Sequence, residues 1–93
     1  MNLKKIFDSQ KVKDSLDNEV YVVTFDTEDI ASDEEYYFRD SWGQYADTAL
    51  EGNTLYVLPN HIEAVQALKS WYGDKAIVAE NSEELKEKFF PFY

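Results

Sequence analysis

The chain has 93 residues, a length that fits a single domain over residues 1–93. Nineteen Asp and Glu residues against nine Lys and Arg residues give a formal net charge of −10. This charge argues against direct binding to nucleic acid or to an anionic membrane, because phosphates are bound by clustered cations. The absence of Cys and the presence of one His exclude disulfides, thiolate metal sites and multi-histidine sites, so we expect no cofactor and no metal.

The first two predicted elements are a helix at 3–16, from its composition, and a strand at 20–25, from its β-branched and aromatic residues. Polar residues after Phe7 interrupt any apolar run of signal-peptide length. The longest apolar stretches, 20–23 and 55–58, are too short to span a bilayer. We therefore expect a cytoplasmic protein that does not associate with membranes.

A second helix is predicted over residues 33–50. Ser32 and Glu35 have the spacing of a capping box, in which each side chain accepts from the other residue's backbone N–H. Gly52 follows, where a left-handed helix cap is favoured, and apolar residues recur along the segment every three or four positions. The alternative interpretation is a short strand at 35–39, because adjacent aromatic residues also suit a strand.

The second half of the chain predicts two strands, at 54–58 and 76–79, and two helices. Gly73 ends the first of these helices and Pro91 ends the second. Each helix is introduced by an Asn with a Glu three residues later, again the spacing of a capping box: the pairs are Asn60 with Glu63 and Asn81 with Glu84.

The three predicted strands are continuously apolar rather than alternating, a pattern typical of strands covered on both faces, as in parallel sheets. Because helices alternate with strands along the chain, we predict an α/β fold with a small three-stranded, mainly parallel sheet and flanking helices. If residues 35–39 form a strand, the fold becomes α+β with a mixed sheet.

Nearly all of the excess negative charge lies in residues 14–51, which hold twelve acidic residues and one Arg, a balance of −11. Residues 1–13 have a balance of +3 and residues 52–93 a balance of −2. A segment of one sign is destabilised by self-repulsion, which suggests that the charge has a use. The alternative is that the acidic residues form a solvated helix face that only keeps the protein soluble.

On the predicted helix the carboxylates recur at intervals of seven, seven and four residues. At 1.5 Å rise per residue they would stand roughly 6–10 Å apart along the axis, a spacing comparable with the pitch of phosphates on duplex DNA. The residues of this predicted stripe are Asp33, Asp40, Asp47 and Glu51.

Aromatic residues make up 16% of the chain, more than a small core easily buries. Tyr and Trp are enriched at binding surfaces, and Arg and Lys stack on aromatic rings as well as pairing with carboxylates. Tyr36 and Tyr37, within the acidic segment, are therefore candidate anchors. The aromatic tail at 89–93 is expected to fold back over the sheet.

A catalytic interpretation is the weakest one. The carboxyl ends of three parallel strands would bring Asp26, His61 and Glu80 together, as an acid–base pair or a weak metal site. No glycine-rich phosphate loop follows any strand, however, and a His at the start of a helix is typical of an ordinary surface position. We expect no enzymatic activity.

The profile as a whole is short, very acidic and rich in aromatics, with no cofactor motif. In composition it resembles phage-encoded inhibitors that mimic nucleic acid, including anti-restriction, anti-CRISPR and nucleoid-protein inhibitors. The resemblance implies a small acidic inhibitor of the anti-defence or host-takeover type, which blocks the basic DNA- or RNA-binding surface of a target protein. The predicted partner-binding residues are Asp26, Glu28, Asp29, Asp33, Glu34, Tyr36, Tyr37, Asp40, Asp47 and Glu51.

The alternative function is an adaptor or regulatory module that binds an apolar groove of its partner through exposed aromatic side chains. Under that hypothesis Trp42 and the residues after Lys88 would be essential for binding, and salt would have little effect. A homodimer is compatible with both functions.

Overall fold

A computed structural model describes residues 19–89, so the helix predicted at 3–16 and the tail residues 90–93 lie outside the described part of the chain. Short 3₁₀ turns at Gly73–Lys75 and Lys86–Lys88 follow the second and third helices. The helices and strands, in chain order, are β1 (Tyr21–Thr24), α1 (Glu28–Trp42), β2 (Ala46–Glu51), β3 (Thr54–Pro59), α2 (Ile62–Tyr72), β4 (Ile77–Val78) and α3 (Ser82–Leu85).

The four strands form one sheet in the order β2–β3–β1–β4, and every pairing is antiparallel. Helix α1 connects β1 to β2, and β3 lies between those two strands. Helix α2 connects β3 to β4, with β1 between them in the same way. This is the connectivity of two interleaved split βαβ units, as in ferredoxin-like folds, and the class is α+β.

The predicted three-stranded, mainly parallel α/β sheet is therefore wrong. Strands do form at 20–25, 54–58 and 76–79, but they pair antiparallel with one another, and β3 also pairs with a fourth strand, β2, whose residues were predicted to end a helix. The alternative, α+β with a mixed sheet, gave the right class, but its strand at 35–39 and its mixed sheet are wrong, because residues 35–39 are helical and no described pair of strands is parallel.

The apolar runs of β1 and β3 have a different cause from the one expected. Both are central strands, and the residues on one face, such as Val23 and Leu55, are buried in a core shared with α1 and α2. On the opposite face Val22 and Tyr56 share a shallow hollow with Leu85, from the C-terminal helical segment. Central antiparallel strands with cover on both sides therefore produce the same sequence pattern as parallel ones.

Helix α1 begins earlier than predicted, and the Ser32–Glu35 capping box is not used, since both residues lie within the helix. The N-cap is Thr27, whose Oγ1 accepts from the Ile30 N–H at 3.1 Å. At the other end the Gly43 N–H donates to the Arg39 carbonyl at 2.9 Å. A Cβ at position 43 would lie 2.5 Å from that carbonyl oxygen, so the close approach requires glycine.

Residues 46–51, Ala-Asp-Thr-Ala-Leu-Glu, are mostly good helix formers, yet they form strand β2. Gly52 and Asn53 form the two-residue turn that pairs β2 with β3. Of the two turn residues only Gly52 has a positive φ, 61°, as in a type II′ hairpin turn. The Asn53 side chain donates to the Phe25 carbonyl at 2.8 Å, and the Phe25 N–H donates to the Asn53 carbonyl at 2.9 Å. The turn is thus fixed to the end of β1.

Helix α2 confirms the helix predicted after Asn60 and its end at Gly73, which has a positive φ of 56°. Its N-cap is His61 rather than Asn60, and His61 Nδ1 accepts from the Glu63 N–H at 3.1 Å. The apolar face of α2 completes the core: Ala64, Val65, Ala67 and Leu68 are all buried.

Candidate binding surface

The outer face of α1 carries an exposed row of acidic and aromatic side chains. Asp29, Asp33, Tyr36 and Asp40 are spaced by four, three and four residues, so they lie above one another on one helix face. That face points away from the core, because Ala31 and Phe38 are buried on the opposite one. The Asp33 and Asp40 positions are about 10 Å apart along the axis at 1.5 Å per residue.

The cations of the described residues are engaged elsewhere. Lys69 donates to the Ala76 carbonyl at 3.1 Å, and Lys75 lies over the Phe25 ring. The other three form ion pairs: Arg39 with Glu35, Lys86 with Glu83 and Lys88 with Glu51. Within residues 19–89, then, Asp29, Asp33 and Asp40 form no ion pair and present their charge to solvent.

Beside this row, the end of α1 and the start of β2 border a surface groove of about 820 Å³ that is open to solvent. We call it the α1–β2 groove. Tyr36, Asp40 and Asp47 are brought together along its walls, although Asp47 belongs to a different element. The complete lining is Tyr36, Arg39, Asp40, Gly43, Ala46, Asp47 and Thr48.

Two carboxylates of the groove are placed where the fold gains nothing from their charge. Asp40 lies in the last turn of α1, where the negative end of the helix dipole disfavours an anion. Burial raises the pKa of the Asp47 carboxyl above its ordinary value, since a partly desolvated carboxylate is harder to ionise. Titratable groups in unfavourable surroundings are typical of functional sites.

The predicted single stripe of acids is wrong. Asp33 and Asp40 share a helix face, but Asp47 and Glu51 lie on β2. They pair with Leu58 and Thr54, on the sheet face away from the buried Leu55 and Val57. The regular phosphate-like pitch over 33–51 therefore does not exist.

The remaining predicted site residues have mixed surroundings. Asp26 is exposed just after β1, and Glu28 is exposed in the first turn of α1. The positive end of the helix dipole stabilises an acidic side chain at that position. Glu34 is half-buried and accepts from the Tyr72 hydroxyl at 3.4 Å. Tyr37 is exposed, with its ring edge-to-face against Tyr36 at 5.7 Å between centroids.

Of the aromatic residues named for the adaptor hypothesis, Trp42 and Phe89 are described by the structure, and neither is an exposed anchor. Trp42 is half-buried and packs against the core, and its indole N–H is buried without an acceptor among the described residues. Phe89, the first residue after Lys88, is only 3% exposed. Removing either side chain would disturb the fold and would not test binding.

The antiparallel sheet also separates the residues of the catalytic interpretation. The end of β1 pairs with the start of β3, since Thr24 lies opposite Thr54. Asp26, after β1, and His61, after β3, therefore lie at opposite ends of the sheet. His61 is explained as the N-cap of α2. Within residues 19–89 no three His, Asp or Glu side chains are grouped to hold a metal.

Sequence reasoning missed the backbone of β2, because it assigned 46–51 to a helix. The available signal was the Gly52–Asn53 pair between two runs of residues, a spacing that indicates a two-residue hairpin turn. That hairpin puts Ala46 and Thr48 in the wall of the α1–β2 groove.

No family model, curated protein or solved structure matches this chain. In the part of the chain that the structure covers, the helices are too short or too polar to span a bilayer.

Proposed function

We propose that the protein is a small acidic inhibitor that binds the basic nucleic-acid-binding surface of another protein and blocks it. The observation that carries this proposal is the exposed row on α1, in which Asp29, Asp33 and Asp40 form no ion pair within residues 19–89 and flank an exposed Tyr36. A row of uncompensated carboxylates on a rigid helix matches a surface of Lys and Arg that is built for phosphates.

The electrostatics of such a complex favour fast association. Opposite charges steer two proteins together, and the effect weakens as salt screens it. Tyr36 and Tyr37 add rings on which the partner's Arg side chains stack. The same carboxylates that attract the partner's cations repel phosphates, so the inhibitor does not bind nucleic acid itself.

The proposed setting is the cytoplasm, where the accessible targets are host proteins that bind DNA or RNA. An inhibitor of this kind serves phage anti-defence or host takeover, as an anti-restriction or anti-CRISPR protein does. The net charge of −10 supports this role, since it disfavours binding to the nucleic acid that the target would otherwise hold.

The test is a pull-down with tagged protein at about 50 mM and about 300 mM salt, with and without excess duplex DNA. We expect one dominant prey that salt and DNA both displace. That prey should be a nucleic-acid-binding protein, and its binding to nucleic acid should be inhibited by stoichiometric amounts of the purified chain. A prey that stays bound through salt and DNA would contradict the proposal.

Matched charge variants show which face is used. The triple variant Asp29→Asn, Asp33→Asn, Asp40→Asn should weaken binding by at least about tenfold through loss of charge complementarity. The control triple Asp74→Asn, Glu80→Gln, Glu87→Gln removes three exposed charges elsewhere and should have a much smaller effect. Equal losses in the two variants would show that net charge, and not the α1 face, drives binding.

The adaptor function remains a second candidate because of one observation. Tyr36 is 68% exposed and Tyr37 57%, and Ile30, on the same helix, is 43% exposed. Under this hypothesis the double variant Tyr36→Ala, Tyr37→Ala abolishes binding, whereas salt and the Asp→Asn triple variant have little effect. Under the inhibitor hypothesis the charge variant has the larger effect.

A further inference from the structure

Among residues 19–89, strand β2 is an edge of the sheet, with β3 on one side and no strand on the other. The backbone of an antiparallel strand points alternately toward and away from its neighbour. The Asn60 N–H donates to the Tyr45 carbonyl at 2.8 Å, so Tyr45 faces β3, and the residues at 47, 49 and 51 do the same. The N–H and C=O groups of Ala46, Thr48 and Leu50 therefore point outward from the edge.

This edge lacks most of the features that normally prevent pairing with another chain. Edges are commonly protected by short length, Pro, charged side chains (above all Lys) or a bulge, and of these β2 has only the acids Asp47 and Glu51. The other edge strand, β4, has only two residues. Strand β2 has six, with no Pro or Lys, and its register with β3 is continuous from Ala46–Pro59 to Glu51–Thr54. It offers an uninterrupted template for an added strand.

The side chains around the edge define which strand would fit. Asp47 and Glu51 lie on one face of β2, two positions on either side of Ala49, and an added strand would place its own side chains directly beside them. An incoming segment with cations at alternate positions would meet these carboxylates.

A second copy of this chain is a poor occupant of the edge. Pairing of β2 with β2 would bring the Asp47 and Glu51 carboxylates of the two copies close together, and like charges across strands are destabilising. It would also join two molecules that each have a net charge of −10. Asp47 favours a basic partner because it forms no ion pair within residues 19–89, whereas Glu51 is already paired with Lys88.

We propose that β2 is a docking edge for an extended segment of the partner protein that carries Lys or Arg at every second position. The segment adds as a fifth strand, with main-chain hydrogen bonds to Ala46, Thr48 and Leu50, and its cations lie beside Asp47 and Glu51 on the sheet face away from the core. Main-chain pairing supplies affinity and the alternate side chains supply specificity. The inference rests on the proposed function only for the basic character of the partner.

The test uses a synthetic peptide of nine alternating Lys and Thr residues, labelled for fluorescence anisotropy. Its control is the same peptide N-methylated at alternate residues along one edge, which keeps every charge but removes the N–H groups that would face β2. We expect the unmethylated peptide to bind at least about tenfold more tightly, since main-chain pairing is lost in the control. Equal binding of the two peptides would overturn the proposal.

Amide hydrogen exchange locates the contact on the whole chain. Binding of the unmethylated peptide should slow exchange at Ala46, Thr48 and Leu50, which point outward, and leave Asp74 unchanged. The variant Thr48→Pro removes one outward N–H without breaking the ladder to β3 and should weaken binding. If Thr48→Pro does not fold, the exchange pattern of the unmodified protein shows by itself whether the peptide pairs with β2. Unchanged exchange along β2 would overturn the proposal.

Failure of this inference can be separated from failure of the proposed function. Loss of binding in the α1 triple variant, with no protection along β2, would support the inhibitor function and overturn the docking edge. Slower amide exchange along β2 on peptide binding would support the docking edge. If, in the same case, the pull-down gave a prey that salt and DNA do not displace, the inhibitor function would be contradicted. A dimer in light scattering that Thr48→Pro dissociates would show that a second copy occupies the edge, and would overturn the proposal.

Discussion

Asp40 illustrates how a single side chain can be unfavourable for the fold and useful for binding. It is exposed in the last turn of α1, borders the α1–β2 groove and forms no ion pair within residues 19–89. The negative end of the helix dipole opposes a negative charge there. Retention of such a residue is typical of a surface used for binding, since binding sites often reduce stability.

We predict that Asp40→Asn raises the free energy of unfolding by about 0.3–1 kcal/mol, because it removes an anion from the negative end of the helix dipole. Urea denaturation at neutral pH measures the change. The matched control is Asp33→Asn, in the middle of the same helix face, which should have a smaller effect. A destabilised Asp40→Asn protein would show that the carboxylate supports the fold.

Tyr72 links the core to the inner side of α1. Burial raises the pKa of its hydroxyl well above the ordinary value, and the charge of Glu34, which also accepts the hydroxyl's hydrogen bond, raises it further. Burial likewise raises the pKa of Tyr21, with a smaller contribution from the charge of Glu19. The folded state therefore holds both phenols in the neutral form, whereas the unfolded chain ionises them near pH 10.

The sign of the pH dependence follows from these shifts. Stability should be fully present below about pH 10 and should fall as the pH rises further, because the unfolded state then releases protons that the folded state retains. Tyr72→Phe should make this fall shallower and lower stability at neutral pH by about 0.5–1.5 kcal/mol, through loss of the hydrogen bond to Glu34. Urea unfolding at pH 8, 10 and 11 tests it, with Tyr36→Phe as the exposed control. An unchanged alkaline slope in Tyr72→Phe would refute the prediction.

Between elements, the connection of α3 to β1 depends on one buried hydroxyl. Ser82 Oγ accepts from the Val20 N–H at 2.9 Å and donates to the Ala79 carbonyl at the same distance. Val20 is fully buried, at the start of the central strand, so its N–H has no access to water. The C-terminal segment is thus held against the sheet by a hydrogen bond between residues 62 positions apart.

We predict that Ser82→Ala lowers the free energy of unfolding by about 1–3 kcal/mol, since the buried Val20 N–H loses its acceptor. Ser70→Ala, at an exposed position of α2, should change stability by much less. Thermal and urea unfolding measure both, and hydrogen exchange at Val20 should become faster only in Ser82→Ala. A loss in Ser82→Ala no larger than that in Ser70→Ala would count against this role.

For the molecule as a whole, acidic residues far outnumber the basic residues that could balance their charge. The net charge is −10, and the described cations are occupied by contacts within the fold, as with Lys88 and Glu51. Self-repulsion of this kind lowers the stability of the folded state. It is relieved by salt, because the Debye length falls from about 30 Å at 0.01 M to about 8 Å at 0.15 M.

We therefore predict that the melting temperature rises as salt is increased from about 0.01 M to about 0.15 M. A gain of about 1 kcal/mol corresponds to roughly 4–8 °C for a domain of this size. The triple variant Asp29→Asn, Asp33→Asn, Asp40→Asn should show a smaller rise, because it has less repulsion to screen. A melting temperature that falls with salt would show that ion pairs outweigh the repulsion.

Local patterns were enough to predict part of this architecture. The β-branched and aromatic runs that form β1, β3 and β4 are visible in the sequence, as are the apolar spacing of α2 and its end at Gly73. Each depends on backbone preferences within a few residues, which tertiary contacts here reinforce. The exposure of Asp33, Tyr36 and Asp40 also follows from helical spacing, because residues opposite a buried face lie outside.

The pairing of strands depends on contacts between residues far apart, and local patterns do not specify it. Residues 46–51 have a helical composition, but the glycine at 43, the Gly52–Asn53 turn and the hydrogen bonds to β3 make them a strand. Tertiary pairing outweighs intrinsic propensity, which amounts to less than about 1 kcal/mol per residue. The formation of β2 moved Asp47 and Glu51 off the helix and created both the α1–β2 groove and its open edge. The amino-acid composition by itself thus determined that the surface is acidic. The pairing of β2 with β3, a contact between strands, determined the shape of that surface.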